Sequence, residues 1–454
     1  MVEPSLHSSD ASVALATGIA IARELAADAV WSGEACAFHG AAPASRLGLP
    51  AMHRSFGGDY YEGSAGIARF LALATAFAED PALRTTTLGA IRHALARSAG
   101  YTLFGGRLGA GLVALEVAER LEQPALVQPA VATIEAACCE ALSAAKRDVP
   151  CDLLSGLAGV VYGLVAALPY DLDGGWLAAA CTLAQAVIDR AVEDEFGLSW
   201  PLHPGSADHL CGMGHGAAGI ALAFEALAPH ASDAGGLRNA ARRARDFERQ
   251  WYSPQNGSWA DLRGEVVGLA GSGHVFPHMW CHGSVGVAAE RLHADTSDLL
   301  AQADLVGALA GARAEAKRLL ARACGPGAGD ELNGSQCHGL SGMSDLFVDA
   351  WRRDGDDDWL NSARACTAMM RNDATRKEGW RCGVPGGLPT PGMMLGKAGI
   401  GWAHLRVASP QTVASAWRPG PVGSSEFLHI GAAASRAAAP SASGDQPRHA
   451  QRRR

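Results

Sequence analysis

The sequence predicts an all-α fold in which an inner ring of helices is enclosed by an outer one. Three observations carry that prediction. A Gly-x-x-Gly motif recurs seven times, at intervals of 43 to 67 residues. Each copy opens an Ala- and Leu-rich stretch of high helix propensity that is apolar nearly all round, the pattern of a buried helix. The segments between these stretches are amphipathic and charged, which suits an outer layer. Every interval can hold two helices and their connections, so the repeating unit is a helix pair.

In chain order the motifs are Gly63-Ser64-Ala65-Gly66, Gly106-Arg107-Leu108-Gly109, Gly156-Leu157-Ala158-Gly159, Gly216-Ala217-Ala218-Gly219, Gly283-Ser284-Val285-Gly286, Gly339-Leu340-Ser341-Gly342 and Gly396-Lys397-Ala398-Gly399. The runs from Ile67 to Ala74 and from Ile220 to Leu227 exemplify the inner type, and the charged run from Leu237 to Phe247 the outer. Ahead of the first motif, Ala11 to Ala22 is apolar but too short to span a bilayer, lacks a basic leader and runs into Arg23 and Glu24. It reads as a packed helix. Glycine weakens helices, so its repeated use at buried helix starts implies close backbone approach there. All seven starts should face one end of the ring, where a mouth gathers residues distant in sequence.

The acidic run Asp354-Gly355-Asp356-Asp357-Asp358 lacks the alternating ligands and closing Glu of a calcium loop, and is expected to be a solvated turn. After about Ile430 the chain turns to Gly, Ala, Ser, Pro and finally Arg452-Arg453-Arg454, without large apolar residues to bury. The expected division is a ring over 1–424 and a disordered tail over 425–454. At roughly 150 residues per domain, 454 residues would suggest three domains, but a repeat architecture breaks that guide.

Hydrophobic residues make up 48% of the chain and charged residues 19%, enough for a large core. A formal charge of -8 disfavours attraction to nucleic acid or anionic membranes. Neither nucleic acid nor a membrane span is expected. Eleven cysteines scattered without a secretory signal point to reduced thiols in the cytoplasm, some available to a metal.

Two motifs carry soft ligands immediately before their glycine: Trp280-Cys281-His282-Gly283 and Gln336-Cys337-His338-Gly339. Thiolate and imidazole suit zinc, and a catalytic zinc characteristically has three protein ligands and one open position. Cys281, Cys337 and one of His282 and His338 would meet that need, and spacing does not choose between the histidines. His203, His209, Cys211 and His215 form a second cluster, without a recognised zinc spacing. Cys138, Cys139, Cys181 and Cys366 read as ordinary buried cysteines.

These strings, together with Tyr61-Glu62-Gly63-Ser64-Ala65-Gly66, Gly214-His215-Gly216-Ala217-Ala218-Gly219 and the segment from Gly392 to Gly401, resemble in order the motif series of the lanthionine synthetase cyclases. The likeness covers residues 10 to 420 and leans toward the cyclase half of the two-function class II synthetases. It implies an α/α toroid of seven inner and seven outer helices. It also implies zinc on Cys281, Cys337 and His338, which resolves the choice of histidine. The implied reaction adds a peptide cysteine thiol to dehydroalanine or dehydrobutyrine, closing a thioether ring. A zinc-bound thiol is deprotonated, and a histidine suits protonation of the resulting enolate. His215 is the candidate acid, and Asp152, matching an acidic position of the family, the group that orients a histidine. A helix-dipole role is the plainer reading of Asp152.

The chain departs from the family in two respects. The class I cyclases carry an Arg four residues before the first zinc cysteine, where this chain has Pro277, leaving His278 or His282 to substitute. The chain also begins almost directly at the ring, so the dehydrated precursor peptide is expected from a separate dehydratase. Addition of glutathione to dehydrated residues is an alternative activity, and a non-catalytic zinc-containing peptide-binding module an alternative class. Toroidal glycosidases and terpene cyclases are disfavoured, because a mouth of Cys and His lacks their carboxylates.

Overall fold

The computed structural model describes residues 6–43, 51–264, 273–323 and 332–422, and contains fourteen α-helices among them. The outer helices are α1 (Leu6–Ala27), α3 (Pro81–Arg97), α5 (Val127–Ala144), α7 (Gly175–Ile188), α9 (Ala234–Arg249), α11 (Leu299–Ala323) and α13 (Asp357–Lys377). The inner helices are α2 (Ser64–Thr75), α4 (Arg107–Arg120), α6 (Leu157–Ala167), α8 (Ala217–Leu227), α10 (Ser284–Arg291), α12 (Leu340–Asp354) and α14 (Lys397–Ala408). Every inner helix has the first glycine of a motif as its N-cap.

Each inner helix packs on the next, and α14 packs on α2, so the inner ring closes. Each inner helix from α2 to α12 is backed by the outer helix that follows it, whereas α14 is backed by α1. The first helix thus completes the last pair. Gly18 of α1 lies against Leu405 of α14, and Lys397 donates to Glu24 and Asp28 at 2.9 and 3.0 Å. The expected packed helix at residues 11–22 is the middle of α1. In α2 every residue from Ser64 to Ala74 is buried, whereas α9 buries one face. The segment Pro124–Ala144 is long and apolar enough to cross a membrane by length and composition alone, and here it is α5 with its preceding turn, packed on α4.

The second glycine of each motif has a steric reason. A Cβ at Gly66, Gly109, Gly159, Gly219, Gly286, Gly342 or Gly399 would lie 2.0 to 2.4 Å from the carbonyl oxygen six residues earlier. The chain entering each inner helix therefore folds back onto the helix's first turn, and only hydrogen fits between. Gly219→Ala places its methyl against the Met213 carbonyl and the Leu153 side chain. We expect it to destabilise the protein by about 1–3 kcal/mol, the usual cost of overpacking. Denaturant unfolding measures this, and a cost below about 0.5 kcal/mol, the range of an ordinary surface substitution, would mean the contact is not a constraint.

Among the described residues, four short antiparallel strand pairs were not anticipated: β1–β2 (Val30–Ser32 with Ala35–Ala37), β3–β4 (His39–Ala42 with Met52–Ser55), β5–β6 (Val192–Asp194 with Gly197–Ser199) and β7–β8 (Tyr252–Ser253 with Ser258–Trp259). They lie in the connections after α1, α7 and α9 and lead the chain back toward the mouth. Turn chemistry accounts for them: Gly33 and Gly257 adopt φ of 61°, and Asp194 accepts from the amides of Phe196 and Gly197. The acidic run at 354–358 is the turn between α12 and α13, with Gly355 at φ 77° and Asp356 capping the next helix. Cys138 and Cys366 are buried, but Cys181 is only half-buried and Cys139 is exposed, a correction to the expected grouping. Neighbours on a helix point about 100° apart, and Cys138 occupies the core face of α5. The tail at 425–454 lies outside the described residues.

Candidate metal and catalytic site at the mouth

Backbone hydrogen bonds bind the loops that precede the inner helices into a belt. Leu154 donates to Gly214, Gly214 to Cys281, Cys281 to Cys337, Cys337 to Met394, Met394 to Tyr61, and Tyr61 to Phe104, at 2.9 to 3.3 Å. All seven residues stand two places before the first glycine of their motif. One residue earlier, Tyr60, Trp280 and Met393 are buried beneath the belt. Tyr60 and Trp280 join Phe104 and Trp417 in an aromatic floor, neighbouring ring centroids 5.3 to 6.1 Å apart. The ring is therefore packed across beneath the belt.

The belt places Cys281 beside Cys337 although 56 residues separate them. Gly214 faces them, with space for a Cβ only 3.2 Å from that of Cys281. The Cys337 thiol hydrogen-bonds Cys281, the His338 ring and the Tyr61 hydroxyl. These contacts, that with Cys281 foremost, pull the Cys337 thiol well below its usual range despite burial. The same Cys281–Cys337 hydrogen bond, with burial behind it, drives Cys281 up, so Cys337 is the favoured thiolate of the pair. Burial pushes His338 down, but the hydrogen bond and charge of Cys337 outweigh it and the net direction is up. The Gly383 backbone also bonds the His338 ring.

Among the described residues, no three His, Cys, Asp or Glu side chains converge as a ready metal cage. Cys281, Cys337 and His338 instead meet pairwise, thiol to thiol and thiol to imidazole. As a donor set, two buried sulfurs and one nitrogen suit zinc, and the hydrogen bonds among them are ones a metal could replace.

His215, one residue past the belt, sets Nδ1 3.0 Å from Asp152 Oδ2. Asp152 is buried and His215 partly open to the mouth. The other Asp152 oxygen accepts from the Ser155 amide at 2.6 Å, closing the loop ahead of α6. One oxygen thus meets the imidazole, while the other braces the loop ahead of α6, whose N-cap Gly156 takes no side-chain hydrogen bond. Glu248 of α9 accepts from the Gly212 and Ala218 amides at 2.8 and 3.0 Å and fixes the His215 loop from behind.

The remaining histidines separate. His282 is buried, its ring centroid 6.4 Å from that of His215. Burial, then the charge of Arg263, pushes it down to about 4, so it is neutral at physiological pH. His278 turns to Ser284 Oγ at 2.7 Å. The second cluster does not assemble: His209 bonds Ser199 Oγ at 2.8 Å, His203 faces the Pro204 carbonyl at 3.3 Å, and burial holds Cys211 well above the usual thiol range.

Sequence reasoning did not single out Tyr61 or Trp417. Tyr61 had a signal, since it shares the belt register with both cysteines. Trp417 belongs to no motif, and only the path of the chain after α14 brings it beneath the belt.

A family model described as "Lanthionine synthetase C-like protein" matches residues 55–418. Among solved structures, the chain is similar to one named "Nisin cyclase", with a TM-score of 0.62 at 16% identity over 83% of this chain and 95% of that one. At that identity the likeness speaks for the shared fold, the α/α toroid. No curated protein matches the chain.

Proposed function

Because the chain belongs to the lanthionine synthetase C-like family, we propose that it is a zinc-dependent cyclase that closes thioether rings in a dehydrated peptide. The observation that carries this reading is the meeting, at one mouth, of the thiols Cys281 and Cys337 and the imidazole of His338 with the Asp152–His215 pair. Cys281, Cys337 and His338 would hold the metal, which when bound would take up the peptide's cysteine thiol and supply it as thiolate at neutral pH.

The chain's own residues account for the rest. Asp152 accepts from Nδ1 of His215 and so leaves Nε2 as the nitrogen that exchanges a proton with substrate. Nε2 takes up the proton the thiol releases and returns it to the α-carbon once sulfur has joined the β-carbon. One S–C bond forms, one C=C π bond is lost, and one proton moves from sulfur to carbon. Tyr61 donates to Cys337 and limits the charge on that sulfur. The aromatic floor excludes water from below. The dehydrated peptide would come from a separate dehydratase, and the reduced thiols required suit the cytoplasm.

The test uses the zinc-loaded full chain and a peptide carrying one dehydroalanine and one cysteine. Ring closure leaves mass unchanged but removes the thiol from reaction with a maleimide, so the expected product resists capping. A peptide that stays fully capped contradicts the proposal. A parallel reaction with a cysteine-free dehydrated peptide and glutathione distinguishes the alternative, which would add the mass of the tripeptide.

A further inference from the structure

After α14 the chain folds back into the ring from the end opposite the mouth, where side chains of the inner helices hold residues 409–422. From α14, the Trp402 indole donates to the Ala414 carbonyl at 3.0 Å and Arg406 to the Val413 carbonyl at 3.2 Å. From α12, Asp345 accepts from the Ser415 hydroxyl at 2.8 Å and the Ala416 amide at 2.9 Å, and Asp349 accepts from Arg418 at 2.7 Å. From α2, Arg69 donates to the carbonyls of Ala416 and Arg418 at 3.1 and 2.7 Å, and Glu116 of α4 braces the same guanidinium at 2.6 Å. The Tyr60 hydroxyl of the floor donates to the Ala416 carbonyl as well, and the Val422 amide returns to Glu119 in the last turn of α4. The segment thus rises from the far end and goes back to it, with its apex at residues 416 and 417.

At that apex the buried Trp417 ring stacks on Trp280, centroids 6.1 Å apart and planes at 26°. Its Cζ2 lies 3.6 Å from where a Cβ would stand on Gly342. Trp280 immediately precedes Cys281, and Gly342 sits in the first turn of α12, just past Cys337 and His338. One side chain therefore bears on both loops that carry the candidate ligands. Trp280 is fixed on its other sides: its amide donates to the Cys337 carbonyl at 3.0 Å, its ring meets Phe104 at 5.3 Å, and its carbonyl oxygen lies 2.0 Å from where a Cβ would stand on Gly286. A shift of the Trp280 ring is thus passed to the backbone of Cys281. Donors of a metal must be held to within about 0.5 Å by packed neighbours, and a void beneath them removes that restraint.

We propose that Trp417 is a positioning residue for the metal site, wedged beneath the Cys281 loop and the Cys337–His338 loop and setting the distance between them, with residues 409–422 as the plug that holds it there. Its consequence for zinc rests on the zinc-cyclase reading. Its consequence for the spacing of the two thiols does not, because that spacing is measurable without metal.

The experiment compares wild type with Trp417→Leu, Trp417→Phe and Trp176→Leu in the full chain. Trp176, buried in the first turn of outer helix α7, controls for loss of an indole from the core away from the mouth. Zinc affinity is read by chelator competition and stability by thermal midpoint. Thiol spacing is read in the metal-free protein by the rate of capture of phenylarsine oxide, which needs two neighbouring sulfurs, with Cys281→Ala as the blank. Trp417→Leu should bind zinc about 100-fold more weakly than wild type and Trp417→Phe, which keeps a plate against Trp280, about tenfold, the span of outer-shell partners. Arsenical capture should slow in the same order. Trp176→Leu should match wild type in zinc affinity and capture although its midpoint falls. The proposal is overturned if both Trp417 variants bind zinc and capture the arsenical as Trp176→Leu does, or if Trp417→Phe recovers nothing over Trp417→Leu. Should Trp417→Leu fail to fold, Trp417→Phe decides, and wild-type affinity and capture in that variant overturn the proposal. A wild-type protein that binds no zinc overturns the zinc reading, and arsenical capture then decides for Trp417 by itself.

Discussion

Cys337→Ala is expected to abolish both stoichiometric zinc and ring closure. Cys337 is the middle member of the contact chain, bonded to Cys281 on one side and His338 on the other. Its removal takes away the thiol that both other candidate ligands contact and leaves the Tyr61 hydroxyl without its sulfur. Loss of an outer-shell partner typically costs a metal site 10- to 100-fold in affinity, so loss of a ligand should cost more than about 100-fold. Competition with a chromogenic chelator measures this. Cys366→Ala is the control, because Cys366 is fully buried away from the mouth on outer helix α13. It should weaken folding yet retain zinc. Full zinc content in Cys337→Ala would mean the metal is held elsewhere.

His215→Ala is expected to spare zinc and lower the rate of closure by about 10²- to 10⁴-fold, the usual contribution of a positioned acid–base group. The ring is bonded to Asp152 and has no part in the thiol contacts. Two changes at Asp152 separate its two oxygens. Asp152→Asn keeps an oxygen able to accept from the Ser155 amide but removes the carboxylate that holds Nδ1–H, so the rate should fall with little change in stability. Asp152→Ala loses both and should also lose about 1–3 kcal/mol, the cost of leaving the Ser155 amide without its acceptor. Single-turnover closure with parallel thermal unfolding distinguishes the outcomes. Equal rates for Asp152→Asn and wild type would leave Asp152 with only its bond to the Ser155 amide.

The ring was legible in the sequence because its constraint is local and repeated. A carbonyl presses on the second glycine of every motif, and glycine satisfies that contact wherever it recurs. The hairpins were less legible, since each rests on one turn, such as Asn256-Gly257, within a two- or three-residue pairing too short for periodicity to register. The belt explains why Cys281 and Cys337 meet, and the same register would have flagged Tyr61. Spacing did not distinguish His282 from His338; in the structure the His338 ring bonds Cys337, whereas the His282 ring bonds the Cys211 backbone and lies beside His215. Trp417 was invisible because its place depends on tertiary hydrogen bonds from Tyr60, Arg69 and Asp345 rather than on any motif.

Most direct for the central claim is X-ray absorption at the zinc edge of the full-length protein, before and after a cysteine-containing dehydrated peptide is added. A shell of two sulfurs, one imidazole nitrogen and one exchangeable light atom, gaining a third sulfur with the peptide, is the predicted result. A closed shell of four protein ligands that does not change would contradict it and leave the metal a structural role.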